Sequence, residues 1–550
     1  MINGTCLVWL LIDGLSWRLV QMRAAGTRQD STLTRSLRAL SPRRALPLIP
    51  LAPNCQTPPS LFSIFSGVDV ERHRLTGYHV PAPTPDDPLR VADAFDIWPR
   101  NIPMIWDRWA TEHSTFRLCA MPFVQPNRLG DALIRHTRVY GGLAIAPDVL
   151  GDGQRFCLPQ LDLDLHVEAY ADGVMLIGPA TEHDPISYWI PLDHTVHLPV
   201  TAPALQDKQY QALAVRTVRI DGDVKLISFG YRAVDDTNPT RTAASPRAYI
   251  AGNPAQLYQA NRLGRRLDDG GHGNAERLLL TLLREVHFSF AADIVGAVRA
   301  GDADCVIGYY PVIDLLSHHL LKYIDPSRTE SDASRLCNAL FDEALDWVDE
   351  LLDGCVAAAP RPVCCIAHSD HGMAPVHHDL FPNYYFEQSG LLFYDANEQI
   401  DFERSAAIFH PAENGLVLFN EARLSILGLD RDGVTAQWRA ALPAPLRGSW
   451  DMFDGTKIDA PSVCWSAQHY WQAPPGSRLL AKRSSCVAQV SRKGGDHSVW
   501  SNDAWLQGIL VDVGPVPADL PADGSLALPK IADLVLRTRI RHLEKSDRAA

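Results

Sequence analysis

The sequence contains no run approaching the roughly 20 consecutive apolar residues that a membrane-spanning helix requires, so no membrane association is expected. It also has no basic segment of the kind that opens a secretory leader. Met1-Ile2-Asn3-Gly4-Thr5 runs straight into apolar Cys6 to Ile12, and that run ends at an acid, Asp13; a cleaved leader is not expected. Cysteine is present but without framework spacing. Eleven cysteines, an odd number, are scattered along the chain, which suits a reducing compartment and predicts a cytoplasmic protein. The adjacent pair Cys364-Cys365 falls in an apparent buried strand and reads as core. Nor is there an excess of positive charge: the formal net charge is −13, which gives no electrostatic reason to expect a nucleic acid polymer or an anionic membrane as partner. An anionic substrate would have to be drawn in by local cations, either metals or a few Arg and Lys. Internal repeats and low-complexity segments are absent.

At 550 residues the chain exceeds one ordinary domain, which calls for a large core with an insertion, or two to three domains. The run Cys6 to Ile12, ending in Asp13-Gly14, is the pattern of a strand buried on both faces of a parallel sheet with a functional loop at its carboxyl end. A helix over Ser16 to Met22, a Pro-rich passage over 41–53, a helix over Ile105 to Thr111 and a strand over Phe116 to Met121 continue a β–α alternation. From about 125 to 275 the character changes. Short alternating segments (Val174 to Ile177, Tyr188 to Ile190, Thr195 to Leu198, Val215 to Ile220, Val224 to Tyr231) read as antiparallel strands, with polar connections over Asp235 to Thr242 and Asp268 to Asn274. Then α/β patterning returns: a helix over Arg277 to Ala300, a strand over Asp304 to Tyr309, a long helix over 328–354, a strand over Pro362 to Ala367 and a last apolar strand over Leu506 to Val511. Residues 385–490 are mixed, with strands expected between Leu479 and Val490, and the charged tail after Arg537 reads as a terminal helix. The expected organisation is therefore a catalytic core in two parts, 1–124 and 276–550, with a β-rich insertion at 125–275 covering or flanking the site.

Four acidic or imidazole clusters punctuate this pattern. Three follow apolar strands: Asp13, then Asp314 with His318, then Asp370 with His371; the fourth, His497, follows a Gly-Gly-Asp loop. In an open parallel sheet the carboxyl ends of the strands share one edge, so these distant residues can converge there. Asp and His in mixed oxygen and nitrogen sets suit zinc, with manganese as second choice. Asp314 and His318 are four apart and share a helix face. Asp370 and His371 are adjacent, which requires a loop, and Gly372 would allow the turn. Beside them stands Thr57, in Gln56-Thr57-Pro58-Pro59-Ser60, where a loop becomes a helix that Gly67 can close in a left-handed turn. Thr57 reads as the N-cap, with its hydroxyl among unpaired N–H groups that attract phosphate.

The ordered set (strand–Asp-Gly, Thr-Pro-Pro-Ser at a helix start, Tyr-x-Pro-x-x-Asp-x-x-x-His, Ser-Asp-His-Gly-Met, Gly-Asp-His) resembles the alkaline phosphatase superfamily, and within it the nucleotide pyrophosphatase/phosphodiesterase branch. The motifs span residues 5 to about 512. The resemblance implies an α/β sandwich with a mostly parallel central sheet flanked by helices, plus the β-rich insertion. It further implies a hydrolase of phosphodiester or pyrophosphate bonds in small-molecule phosphate esters. Thr57 would be the nucleophile, forming a phosphothreonine. Asp13, Asp370 and His371, with the Thr57 oxygen, would hold one Zn2+, and Asp314, His318 and His497 a second.

The chain also departs from the family pattern. Family diesterases usually carry an Asn shortly after the nucleophile helix, and Glu71 to His79 contains none; Tyr78, His79 or Arg74 are the available substitutes. A phosphomonoesterase or phospho-group transferase therefore stays open as an alternative. A sulfatase would need a Cys or Ser nucleophile and a nearby Arg, both absent here, and a catalytically dead scaffold would have lost ligands that this chain keeps. Tyr78 is a candidate substrate-binding residue, and among the remaining aromatics Tyr310 and Phe123 are the candidates for contact with a substrate's base or aromatic leaving group, whereas Trp17, Trp106 and Trp109 read as core. His73, His319, His368, His377 and His378 read as core or as hydrogen-bonding supports for ligands, and Cys55 as packing.

Overall fold

The structure, a computed structural model, describes residues 4–26, 31–38, 44–112, 114–137, 144–159, 163–178, 187–200, 211–232, 252–447, 467–501, 503–518, 520–521 and 524–538. The expected loop over Asp235 to Thr242 and most of the charged tail lie outside these residues. Eight strands form the central sheet: β1 (Cys6–Ile12), β2 (Ala45–Ile49), β3 (Phe116–Cys119), β4 (Leu133–His136), β5 (Cys305–Tyr310), β6 (Val363–His368), β7 (Gly508–Asp512) and β8 (Leu526–Ala527), in the order β8-β2-β7-β6-β1-β5-β3-β4. β1 is central and runs parallel to both neighbours, while β7 is antiparallel to β6 and β2. Every residue of β1, β5 and β6 is buried, which is why they read as continuous apolar runs with no alternation.

Register matters more than strand count for the site. Ile12 lies beside Tyr310 and Leu11 beside His368, so β1, β5 and β6 end level with one another. Whatever follows these strands emerges at one edge. Successive side chains of β1 point to opposite faces. Trp9 packs on Phe65 (ring centroids 5.2 Å apart) and His368 (5.8 Å), which places helix α1 (Thr57–Ser66) on that face. The other face carries helix α2 (Asn274–Ala300), whose Ile294 closes with Leu10 over Gly308. Helix α3 (Val312–Leu320) follows β5 directly, and helix α4 (Asp332–Ala358) packs on α2. α4 starts four residues later than its apolar pattern suggests, because Ser331 and Ser334 form a capping box there and Asp325-Pro326-Ser327 makes a turn before it. Among the described residues no helix is long and apolar enough to cross a membrane.

The region expected as an insertion holds two four-stranded antiparallel sheets. One comprises Arg155–Leu158, Leu163–Tyr170, Gly173–Ile177 and Ser187–Pro191; the other Asp148–Leu150, Thr195–Val200, Gln211–Ile220 and Asp223–Ser228. Their inward residues, among them Val167, Val174, Leu176, Val215 and Leu226, are fully buried. The span 125–275 is not uniform, however. β4 lies within it and pairs parallel with β3 as an edge strand of the central sheet, so the antiparallel part begins only after that edge strand. The mixed stretch 385–490 also resolves into something definite. Ala407–Phe409, Leu416–Phe419 and Ala467–Tyr470 form a small sheet over a second hydrophobic core, in which Trp438 stacks on Trp471 at 5.5 Å.

Candidate active site

The helix that opens at Thr57 is capped differently from the sequence expectation. Gln56, not Thr57, is the N-cap residue, and it makes no side-chain cap; Thr57 is the first helical residue and Gly67 closes the helix at φ 70°. The cause is local. Asn54 Oδ1 accepts the Gln56 N–H at 3.1 Å, and the Gln56 amide oxygen turns away to accept the N–H of Tyr78. The Thr57 hydroxyl is therefore not consumed by its own helix, and it lies 3.3 Å from His371 Nε2. Pro58 and Pro59 lack N–H groups, so this helix start offers fewer backbone donors to a phosphate than most. Cations have to supply what the prolines remove.

Six side chains from four parts of the chain meet opposite that hydroxyl. Asp13 leaves β1, Asp314 and His318 occupy one face of α3, Asp370 and His371 follow β6, and His497 follows a two-residue strand Gly495–Asp496. They form two triads, Asp13 with Asp370 and His371, and Asp314 with His318 and His497, whose potential ligand atoms lie within 4.8 Å of one another in each. The triads adjoin: the His371 and His497 rings stack at 3.7 Å. All six residues are buried except His318, which is half-buried.

The hydrogen bonds show which atoms are left for a ligand. His318 Nδ1 donates to the carbonyl of Gly495 (3.0 Å), His371 Nδ1 to that of Gly372 (2.8 Å) and His497 Nδ1 to that of Cys55 (3.1 Å). A carbonyl can only accept, so the proton sits on Nδ1 and each neutral ring turns a lone pair inward from Nε2. Those lone pairs face carboxylate oxygens at 3.2–3.5 Å, and His318 and His497 face each other at 3.3 Å. Asp13 Oδ1, Asp314 Oδ1 and Asp370 Oδ2 are correspondingly buried with no hydrogen-bond partner among the described residues. Acceptors crowded against acceptors in a buried place are unfavourable unless a cation lies between them. The titration directions of Asp13, Asp314, His318 and His497 agree. Burial, then the charges of Asp370 and Asp314, push Asp13 well above the usual carboxylate range; burial pushes Asp314 up to about 7. Burial holds His318 and His497 well below the ordinary imidazole value. For His371 burial is the largest influence and lowers the value, but the charge and hydrogen bond of Asp370, the charge of Asp314 and the bond to the Gly372 carbonyl together raise the ring above its ordinary value. The donor set fits a pair of divalent cations.

Gly372 does allow the Asp370-His371 loop, but by close approach rather than by a left-handed turn: a Cβ there would lie 2.1 Å from the Trp505 carbonyl oxygen. Two expected substrate contacts are corrected. Tyr310 is fully buried in the core and its hydroxyl lies 3.0 Å from His287 Nδ1; Phe123 is buried among Phe62, Phe95 and Trp98. Neither ring presents a face to a ligand. Tyr78 is half-buried and tied through its N–H to Gln56, next to Thr57. Of its possible stand-ins for the missing Asn, Arg74 and His79 are exposed. Cys55 packs with its thiol 3.4 Å from the Leu51 carbonyl, while its own carbonyl orients His497. His73 bonds Ser63 at 2.9 Å, His319 lies edge-on to Tyr258, His368 packs on Trp9 and His377 pairs with Asp325 at 3.0 Å. The residue missed is Tyr309, whose hydroxyl donates to Asp13 Oδ2. In a strand buried on both faces no periodicity separates it from Tyr310.

A mostly parallel sheet with carboxylate and imidazole ligands at level strand ends, facing a hydroxyl at a helix start, is the architecture of a metal-dependent phosphoester hydrolase. Residues 7–426 match the profile of the type I phosphodiesterase / nucleotide pyrophosphatase family. The chain belongs to that family, in the alkaline phosphatase superfamily, and is a hydrolase acting on phosphoric ester bonds. No curated protein matches it in sequence. Similar solved structures include phosphonoacetate hydrolase from Sinorhizobium meliloti 1021 with phosphonoformate (10% identity, covering 98% of this chain and 96% of that one, TM-score 0.46). Another is murine ectonucleotide pyrophosphatase / phosphodiesterase 5 (10% identity, 97% and 94% coverage, TM-score 0.44).

Proposed function

We propose that this chain is a two-metal phosphohydrolase that cleaves phosphodiester or pyrophosphate bonds of small-molecule phosphate esters through a phosphothreonine at Thr57. The observation that carries the reading is the set of buried, unpartnered carboxylate oxygens and inward imidazole lone pairs facing the Thr57 hydroxyl. Asp13, Asp370 and His371, with Thr57, would hold one cation, and Asp314, His318 and His497 the other; mixed imidazole and carboxylate ligands favour zinc, with manganese second. Such cations neutralise phosphoryl charge and favour the alkoxide of a bound hydroxyl. Thr57 gives its hydroxyl proton to solvent, its Oγ1 forms the new bond to phosphorus as the bond to the leaving oxygen breaks, and the leaving group departs with a proton from solvent. Water then cleaves the phosphothreonine and restores the hydroxyl. Tyr78, whose N–H is held by the Gln56 side chain, would be a substrate contact. The antiparallel sheets within 125–275 flank the core as an insertion, and the odd, scattered cysteines favour a cytoplasmic setting.

The test is a comparison of bis-p-nitrophenyl phosphate with p-nitrophenyl phosphate on the metal-loaded enzyme. A higher kcat/KM for the diester is expected; a clear preference for the monoester would replace this reading by a phosphomonoesterase. Tyr309→Phe supplies a second check. Loss of the hydroxyl that fixes Asp13 is expected to weaken metal binding by about 10-fold to 100-fold, read by competition with a chromophoric chelator. Unaltered affinity would remove Asp13 Oδ2 support from the site's design.

A further inference from the structure

A cavity of about 380 Å³ opens beside the second triad, with His318 in its wall. Its other charged lining residues are all cations: Arg266, Arg478, Arg492 and Lys493. In a chain of net charge −13 this is a marked local reversal. The loop that carries His497 also carries two of these cations. It is pressed against α3 at Gly494, where a Cβ would lie 2.2 Å from the His319 carbonyl carbon, so the cationic wall and the His497 ligand are fixed in one piece.

Each cation is held by a carboxylate. Arg478 Nε donates to Asp379 at 2.7 Å, Lys493 Nζ to Asp496 at 2.6 Å, Arg492 to Asp269, and Arg266 to Asp268 at 3.4 Å. Asp268 also receives Lys322 at 2.9 Å, so the carboxylates are outnumbered. None of the four Asp residues lines the cavity. Arg266 is 3% exposed, its guanidinium lies over the Tyr258 ring at 4.4 Å, and its Nε has no partner among the described residues. A guanidinium carries five N–H donors, and the bonds to Asp positions the heads without exhausting them. A network built only to cross-link chain segments would bury its cations among their carboxylates; here the heads form the wall of an open cavity that shares His318 with the metal-ligand set.

Resting on the phosphohydrolase reading above, we infer that this cavity binds a second anionic group of the substrate, a phosphate or a carboxylate carried on the same molecule as the phosphoryl centre under attack. Arg266, Arg478, Arg492 and Lys493 are its specificity-determining residues, and substrates with two anionic groups are preferred to those with one.

The experiment measures equilibrium binding of three non-hydrolysed probes to the metal-loaded full chain by calorimetry: methylphosphonate with one anionic group, methylenediphosphonate with a second phosphonate, and 2-carboxyethylphosphonate with a carboxylate. At least one two-anion probe is expected to bind about tenfold or more tightly than methylphosphonate, and Arg492→Gln and Lys493→Gln each to cut that ratio severalfold. Arg492 is largely exposed, so its variant folds. Advantage for the diphosphonate alone indicates a phosphate-bearing substrate, and for the carboxylate alone a carboxylated one. Equal binding of all three probes, or a ratio that both variants leave unchanged, overturns the inference. Turnover of bis-p-nitrophenyl phosphate, measured in parallel, separates the two readings. Turnover without a two-anion advantage sinks only the subsite, and an advantage without turnover sinks only the reaction.

Discussion

Thr57→Ala is expected to lower turnover of bis-p-nitrophenyl phosphate by about a thousandfold or more, the scale seen when a nucleophile that works as part of a unit is removed. The same variant is expected to keep about two metal ions per chain and to melt close to the parent. Each expectation has a structural source. The hydroxyl lies 3.3 Å from His371 Nε2 and faces the triads, so its loss removes the attacking atom. Six other side chains remain to hold the cations. Stability is spared because Gln56, not Thr57, occupies the N-cap, so no capping bond is lost; alanine is moreover a better helix former than threonine. Thr57→Ser, which restores a hydroxyl at the same atom, is expected to recover part of the rate. A Thr57→Ala enzyme with undiminished turnover would mean that another group attacks, and one that had lost its metals would turn Thr57 into a ligand first and a nucleophile second.

The parts of this site that could be read before the fold was seen were those where chemistry interrupts an apolar run. Asp13 and Asp370 end strands buried on both faces, and an acid there is conspicuous against the residues before it. Asp314 and His318 are legible for a different reason, the four-residue spacing that one helix turn imposes. What could not be read lies where the local pattern is silent. Tyr309 and Tyr310 are adjacent in a fully buried strand, and only the fold shows that the first reaches Asp13 and the second His287. The carbonyls of Cys55, Gly372 and Gly495 that orient the imidazoles are backbone atoms, which leave no mark in residue type. Thr is the stronger capping residue in isolation, yet the N-cap falls on Gln56, whose N–H is taken by Asn54 Oδ1. The second core around Trp438 and Trp471 joins segments separated by other structure, and the cationic wall gathers Arg266 with residues more than two hundred positions away. Such contacts follow from tertiary packing, and no spacing rule encodes them.

Stripping the metals should destabilise the protein, and the effect of Asp370→Asn on stability should change sign between the metal-free and the metal-loaded forms. The free energy that an ion adds to the folded state is about 4 kcal/mol at a thousandfold excess over its Kd. Two ions add about 8 kcal/mol, which for a chain of this size corresponds to a fall in Tm of roughly 5–10 °C on exhaustive chelation, recovered by zinc or manganese. Asp13, Asp314 and Asp370 are crowded together with buried oxygens that have no partner among the described residues, and the charges of Asp370 and Asp314 add to burial in raising Asp13. Asp370→Asn removes one of those charges while keeping an oxygen to accept the Gly14 N–H, which lies 3.4 Å from Asp370 Oδ1. Metal-free Asp370→Asn should therefore melt at or above the metal-free parent. With metal the order inverts, because the variant has lost an anionic ligand, and turnover should fall by about a hundredfold or more. The inversion is what separates a cation cradle from an ordinary buried polar cluster. A carboxylate that served only to hold the fold would, when neutralised, lower Tm in both forms alike, and that outcome would remove the metals from the proposed chemistry.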